Sequence, residues 1–440
     1  MFFKKVYFII LSFFFVNCGD NYSMVEYNSS NNINLPTEID KSDCSIEEQN
    51  RVVYEKMKNN YLWYEYMPDI DYRDYNSTES LLDDLRYRDY DRWSYITSAT
   101  KYSDFYEKGV YKGFGFSIGE YNGRVFVTYV YENSPADMAG FKRGTEILEV
   151  DGKTISKMEN RELWRVISRD SSSKIQFKIS NDNIEYIVVL EKKPIKISSI
   201  IVDKIVSIDD KKIGYFILNG FIEPTLSELD TLFDKFKREE IDELILDMRY
   251  NGGGRVSVAN YLANLIGGEI TEEMPFEKLE YNNKNSSLNT TFNFSKEKNS
   301  LDLDRVFIIS TDKTCSASES VINGLKPYIN VNLIGSKTCG KPVGMSGVDF
   351  CEKHLAPIEF KMLNADGDGD YFSGIEPRCY VLDDIFHTLG ERDESMLRET
   401  LFFIENGICS NVTKRYKIKK RDIDSSSSIF SGFQREIDAI

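Results

Sequence analysis

Two short runs constrain the fold of this chain more than anything else in it. Leu244-Ile245-Leu246-Asp247-Met248-Arg249 and Val306-Phe307-Ile308-Ile309 are apolar almost without interruption, where a strand with one wet face would alternate apolar and polar residues. Strands of that kind are buried on both faces, the condition of a mainly parallel sheet covered by helices on each side. The surrounding sequence supplies the rest of such a sheet. Residues 213–217 and 331–335 read as further strands, and 226–237, 257–265 and 319–325 as helices. In sheets wound this way the loops beyond the carboxyl ends of the strands carry the chemistry. Two of those loops stand out: Tyr250-Asn251-Gly252-Gly253-Gly254 after the first run and Thr314-Cys315-Ser316-Ala317-Ser318-Glu319 after the second.

Upstream the texture changes twice. Residues 45–105 read as a small helical region. Ser45-Ile46-Glu47-Glu48 has the form of an N-cap and first turn, Val52, Val53, Met57 and Tyr61 follow at helical spacing, and 78–86 reads as a second helix. From Lys112 strands take over: 125–130 is β-branched, Ser134 to Gly140 is a short helix with Pro135 at its start, and Glu146 to Gly152 is a strand into a turn. A helix at 161–167 and strands at 174–179 and 184–190 complete the set. This order, with those words in place, resembles a PDZ domain in the circular arrangement used by bacterial proteases. The resemblance implies that Gly113-Phe114-Gly115-Phe116 is the loop whose backbone amides capture a peptide's terminal carboxylate while the peptide adds a strand alongside. Within the core, residues 268–303 are polar and read as an exposed excursion. Residues 411–440, with Lys/Arg clusters and four consecutive serines, read as a weakly ordered tail.

The beginning of the chain is an address. Lys4 and Lys5 precede an apolar run over residues 6–16, too short to span a bilayer, which ends at Asn17-Cys18-Gly19-Asp20. Residues 1–18 thus resemble a bacterial lipoprotein signal, with Cys18 as the lipid-modified first residue of the mature chain and 19–44 as a linker. The expectation is an exported cell-envelope lipoprotein, periplasm-facing or on the outer membrane, tethered through its lipid. Six cysteines remain beyond Cys18, an even number that suits disulfides in an oxidising compartment, and spacing alone leaves their pairing open. No CxxC or Cys/His cluster suggests a structural zinc. A formal net charge of −16 and the lack of a basic stripe disfavour nucleic acid as a partner.

Residues 314–341 hold a candidate nucleophile and a candidate base. A serine hydroxyl attacks a carbonyl only when a neighbour takes its proton. The chain has two histidines, His354 and His387, neither in a motif-like setting, so a Ser-His-Asp triad is poorly supplied. A lysine can serve where burial favours its neutral form, and Lys341 beside Gly340 is the candidate. A developing oxyanion needs donors that no side chain screens; a backbone amide in Gly252–Gly254 can supply one and that of Ala317 another. Ser318 is the rival nucleophile by residue type. Cys315 is another, with no histidine evidently placed to activate it.

Leu246 to Gly254, then Thr314 to Glu319, then Gly340-Lys341, behind a PDZ-like domain and a lipoprotein-like signal, resemble the C-terminal processing (tail-specific) protease family. The likeness covers roughly residues 45–405. It implies an α/β multidomain chain: a helical N-terminal region (45–105), a PDZ-like β-rich domain (106–195) and a crotonase-like α/β protease core (196–410). It further implies a serine endopeptidase with Ser316 as nucleophile, Lys341 as base, the amides of Gly253 and Ala317 as the oxyanion hole, protein substrates with free C-terminal tails, and no cofactor. The chain departs from the family where a Gln often orients the lysine, here Met345, and where some members carry an Asp, here Pro327. Two other expectations compete with this one. A catalytically silent PDZ-like peptide-binding protein on the same scaffold suits those departures, and an acyl-CoA enzyme of the crotonase-like fold leaves the signal and the PDZ words unexplained.

Overall fold

The doubly buried strands lie at the centre of a six-stranded sheet. In the computed structural model, which describes residues 44–158, 162–163, 166–167 and 173–410, its order is Ile200–Ile208, Lys211–Leu218, Glu243–Asp247, Arg305–Ser310, Asn330–Gly335 and Cys379–Tyr380. The first pair is antiparallel and every later pair parallel. Alternate residues feed two cores. Leu244, Leu246 and Ile308 pack with helices Thr225–Arg238, Val256–Gly267 and Ala317–Leu325, while Ile245, Phe307 and Ile309 pack with Met396, Leu397 and Leu401 of helix Ser395–Asn406. The expected exported leader, Cys18 and the tail from 411 lie outside the described residues, as do residues 161, 164 and 165 of the expected helix at 161–167, whose described residues 162–163 and 166–167 are helical. Among the described residues no helix is long and apolar enough to cross a membrane.

Residues 268–303 are not simply an exposed excursion. Pro275–Tyr281 and Thr290–Asn293 form a hairpin in a four-stranded sheet with Phe360–Leu363 and Val343–Gly344. Phe276 is buried against helix Ala317–Leu325, where a Cβ on Gly324 would come within 2.5 Å of its ring. A hairpin with one face on a helix and the other in water needs few apolar residues, which is why its composition reads as loop. The same hairpin buries Glu277, whose Oε2 has no hydrogen-bond partner, and burial pushes its carboxyl up to about 8. The unfolded chain ionises Glu277 above its ordinary value of 4.5, whereas the folded one holds the proton to about 8. Stability should therefore fall as pH rises across that window and level off above it, by on the order of a few kcal/mol. Urea unfolding of Glu277→Gln should match wild type near the lower limit and exceed it at the upper one; parallel pH profiles would refute the assignment.

The N-terminal region is sewn to the core. Ser45 caps helix Ile46–Asn60, accepting from the Glu48 N–H at 3.3 Å, and Val53 and Met57 pack with Leu81 and Leu85 of helix Thr78–Leu85 and with Leu355 and Ile358 of the core. Strand Tyr95–Ser98 pairs antiparallel with Lys353–Ala356. A disulfide joins Cys44 to Cys351, and the buried pair Lys56–Glu359 closes at 2.6 Å.

The PDZ-like region is a sheet in the order Phe116–Tyr121, Arg124–Val130, Glu146–Val150, Lys174–Asn181, Ile184–Glu191, entered and left through the pair Val110–Gly113 and Lys193–Lys196. Phe114, Phe116, Phe141 and Phe177 form its core. Arg143 plugs this region into the α/β core. Its guanidinium donates to the Thr128 carbonyl (2.8 Å), the Tyr250 hydroxyl (2.6 Å), Asp383 Oδ1 (2.7 Å) and the carbonyls of Asp384 (3.0 Å) and His387 (2.9 Å).

Candidate active site

The chain between strand Arg305–Ser310 and helix Ala317–Leu325 is pinned to the loop after strand Glu243–Asp247. Thr314 Oγ1 donates to the Met248 carbonyl at 2.8 Å, and the Cys315 N–H and Ser318 Oγ both donate to the Asn251 carbonyl at 3.0 Å. Ser318 is thereby occupied as a structural hydroxyl, while Ser316 stands at the turn into the helix. Ser316 has φ 56° and ψ −118°, a conformation that costs an L-residue energy and persists only where its surroundings enforce it. It is 9% exposed, and the Ala317 N–H after it heads the helix, where unpaired amides and the helix dipole favour negative charge.

The glycine loop lies against this turn. A Cβ on Gly253, whose φ is +108°, would sit 2.8 Å from both the Cys315 carbonyl oxygen and Ser316 Cβ and 3.1 Å from the Ala317 nitrogen, so only glycine fits. The Gly253 N–H donates to Asn251 Oδ1 at 2.9 Å, and Asn251 Nδ2 is in turn held by the Leu218 carbonyl at 3.0 Å. In this conformation, then, the Gly253 amide is beside Ser316 with its N–H engaged by the Asn251 side chain.

Lys341 is 3% exposed. What joins its loop to the serine turn is Glu319, a residue whose importance the sequence reading passed over. Its carboxylate accepts from the N–H groups of Ser316 (3.0 Å), Gly340 (2.8 Å) and Lys341 (2.8 Å) and from Thr338 Oγ1 (2.6 Å). Burial raises the Glu319 carboxyl above its ordinary range, and those four donors pull the other way. The signal for it was present: Ser-x-x-Glu before an apolar run is a capping-box pattern. A disulfide between Cys315 and Cys339, with Cα atoms 5.2 Å apart, crosses between the same two loops. Cys315 as a nucleophile is excluded in this state, since its sulfur is in a disulfide. Cys379–Cys409 completes the pairing that spacing left open. Ser346, next to Met345, has its hydroxyl 3.4 Å from that of Tyr281 and its N–H on Glu359 Oε2 at 3.1 Å.

Behind the glycine loop Arg249 is wholly buried and meets three carboxylates. It donates to Asp247 at 2.7 and 3.0 Å, to Asp383 at 2.9 Å and to Glu394 at 2.8 and 2.9 Å. Burial alone would raise the Asp383 carboxyl, but the Arg143 and Arg249 charges, with donors from Tyr250 and Tyr121, hold it well below the usual carboxylate range.

In the PDZ region Gly113 pairs with Lys193 within a strand, and the Phe114 and Phe116 side chains are core, leaving backbone as that loop's only means of contact with a ligand. The Phe114 carbonyl already accepts from the Ala136 N–H at 3.0 Å, and that of Gly115 from the Tyr131 N–H at 2.8 Å. Strand Phe116–Tyr121 is at an end of its sheet. Its Ile118 lies opposite Val127, whose N–H and carbonyl bond the other way, to Thr145 and Gly144. Ile118 therefore turns its own peptide groups outward, and Lys313 Nζ, three residues before the serine, donates to its carbonyl at 3.0 Å.

Fold and site together define a multidomain α/β protein in which a PDZ-type module leans on a core that brings a strained serine, a buried lysine and a glycine loop to one place. Residues 212–381 match the family described as Peptidase family S41, 48–95 its Peptidase S41 N-terminal domain, and 106–180 a PDZ domain. The chain thus carries an S41-type peptidase domain, with that family's N-terminal domain and a PDZ domain ahead of it. Relatives named "Probable CtpA-like serine protease" from Staphylococcus aureus and Staphylococcus haemolyticus are 27% and 24% identical over 270 residues, 61% of this chain and 52% of theirs. The match thus spans about half the length of these curated relatives. Among solved structures, a protein assigned as an S41 protease from Bacteroides fragilis superposes with a TM-score of 0.65 at 24% identity, covering 81% of this chain and 97% of that one. A photosystem II D1 C-terminal processing protease gives 0.52 at 18% identity, covering 81% and 98%. At these identities both likenesses concern the fold.

Proposed function

We propose that this protein is a serine endopeptidase working through a Ser316/Lys341 dyad on protein substrates whose C-terminal tails the PDZ domain engages. The observation that carries the reading is the convergence at Glu319, one carboxylate holding the backbone of the serine turn and of the lysine loop. Ser316 Oγ attacks the scissile carbonyl carbon and its proton passes to Lys341 Nζ. The oxyanion is met by the Ala317 N–H and, once it leaves Asn251, by the Gly253 N–H. Collapse of the tetrahedral intermediate expels the amine with a proton returned from Lys341, and water repeats the sequence to free the serine. A tail can add as a strand alongside Phe116–Tyr121, with its carboxylate toward the loop at Gly113–Phe116, displacing Lys313 from Ile118.

Three disulfides suit an oxidising compartment and so support export. With it comes the expectation of a cell-envelope lipoprotein anchored through Cys18. The full chain should cleave an unstructured protein bearing a free apolar tail, more slowly when that tail is amidated, and should be labelled covalently by a fluorophosphonate at Ser316. Failure to cleave or label leaves the silent peptide-binding reading in its place; cleavage indifferent to the tail removes the PDZ domain from recognition.

A further inference from the structure

Beside the lysine loop the N-terminal region displays rings to solvent. Tyr66 stacks on Tyr87, with centroids 4.5 Å apart and planes 12° from parallel, and Trp63 lies over Tyr90 at 6.0 Å and 28°. Phe372, from the core, meets the Tyr90 ring edge-on at 5.1 Å. Tyr66 is 61% and Tyr90 46% exposed, although packing alone would favour covering such rings. The shelf adjoins the loop that carries Lys341. A Cβ on Gly340 would be 2.4 Å from the Phe372 carbonyl oxygen, and Arg92 Nη2 donates to the Cys339 carbonyl at 3.0 Å, two residues before Lys341. The Arg92 guanidinium rests over the Trp93 ring, 4.8 Å from its centroid, and among the described residues no carboxylate lies within ion-pair distance of it. Its remaining N–H groups form a fork suited to a carboxylate.

We propose that the shelf of Trp63, Tyr66, Tyr87, Tyr90 and Phe372, with Arg92 at its inner end, is a docking surface for an extended stretch of the polypeptide substrate. An aromatic or proline side chain lies on the rings, and a carboxylate of the same chain meets Arg92. The occupant follows from continuity: whatever is held here runs directly onto the Lys341 loop. Its identity as substrate rests on the peptidase reading, whereas the surface and its chemistry do not. Extended chains rich in proline are recognised on aromatic-lined grooves of this kind elsewhere, because such segments lose little entropy on binding.

The test has two arms. In the first, full-chain Ser316→Ala protein is titrated with a fluorescent peptide carrying adjacent proline and tyrosine residues, one acidic side chain and a free C-terminus. Adding Tyr66→Ala and Tyr90→Ala, both exposed and expected to leave the fold intact, should weaken binding about tenfold. A peptide with serine in place of the ring residues should bind both proteins equally weakly. Arg92→Gln should remove the penalty that wild-type Arg92 shows either for amidating the acidic side chain or for amidating the C-terminus, which tells the two carboxylate sources apart. In the second arm, on the Ser316 background, the tyrosine pair should raise KM about tenfold for a long substrate with kcat unchanged, and leave a short reporter unaffected. Unchanged titrations overturn the proposal, as does a change of oligomeric state with peptide binding intact, which would make the shelf an interface between copies. If no substrate is cleaved at all, the peptidase reading fails and the titration still decides the docking surface.

Discussion

Ser316→Ala should lower turnover of any tail-bearing substrate by about 10⁴-fold or more while leaving the unfolding midpoint near wild type. Removing one member of a nucleophile–base unit costs nearly as much as removing the whole of it, because the survivors have nothing to activate or to be activated by. Lys341→Ala should therefore match it, and the double variant should be scarcely worse than either single one. The fold should tolerate the serine change, since Ser316 is held by its backbone N–H on Glu319 and its hydroxyl is not needed for that contact. Alanine meets the same strain at φ 56° that serine does. Additive losses in the double variant would show that the two residues act separately, and retained turnover in Ser316→Ala would move the nucleophile elsewhere.

Arg249→Met should destabilise the protein by about 3–5 kcal/mol, read as a fall of roughly five degrees in the unfolding midpoint. The methionine fills much of the volume, so the loss is electrostatic: Asp247, Asp383 and Glu394 would be left buried around an uncharged side chain. Because the pocket backs onto Tyr250, whose hydroxyl bonds to Asp383, the glycine loop should lose its support too, and activity should fall further than stability alone explains. Asp383 adds a pH signature. With its pKa held down in the folded state, its contribution is present above the ordinary carboxyl value of 3.8 and is lost as pH falls below it, so wild type should weaken there and Arg249→Met should weaken less steeply. A midpoint unaffected by the substitution would mean that the guanidinium is not what balances the three acids.

The serine and lysine words, the glycine loop and the doubly buried strands were legible because each is a local consequence of sequence: apolar runs, glycines that backbone approach demands, a serine before a helix. The Ser45 cap and the helix behind it were legible for the same reason. What sequence hid was long-range. Nothing near Arg143 announces that its guanidinium enters a socket built by Tyr250, 107 residues away in the chain, and by Asp383 and two carbonyls 240 to 244 residues away. The cysteine pairing could not be read, because Cys44 and Cys351 are brought together by folding across a separation of 307 residues. Glu319 was in plain view as the last letter of its word, yet its role depends on where Gly340 and Lys341 arrive, which only tertiary structure fixes.

That same Cys44–Cys351 bridge has a mechanical meaning. Helix Ile46–Asn60 begins just after Cys44, so without the bridge a pull on the chain ahead of Cys44 would peel this helix first and the strand Tyr95–Ser98 after it. With the bridge, tension enters the fold at Cys351, between the paired strands Val348–Phe350 and Lys353–Ala356, and the whole stretch from 45 to 350 lies off the load path. Under force the serine turn, the lysine loop and the PDZ region are all shielded from that end of the chain, and reducing this one bond exposes them to it.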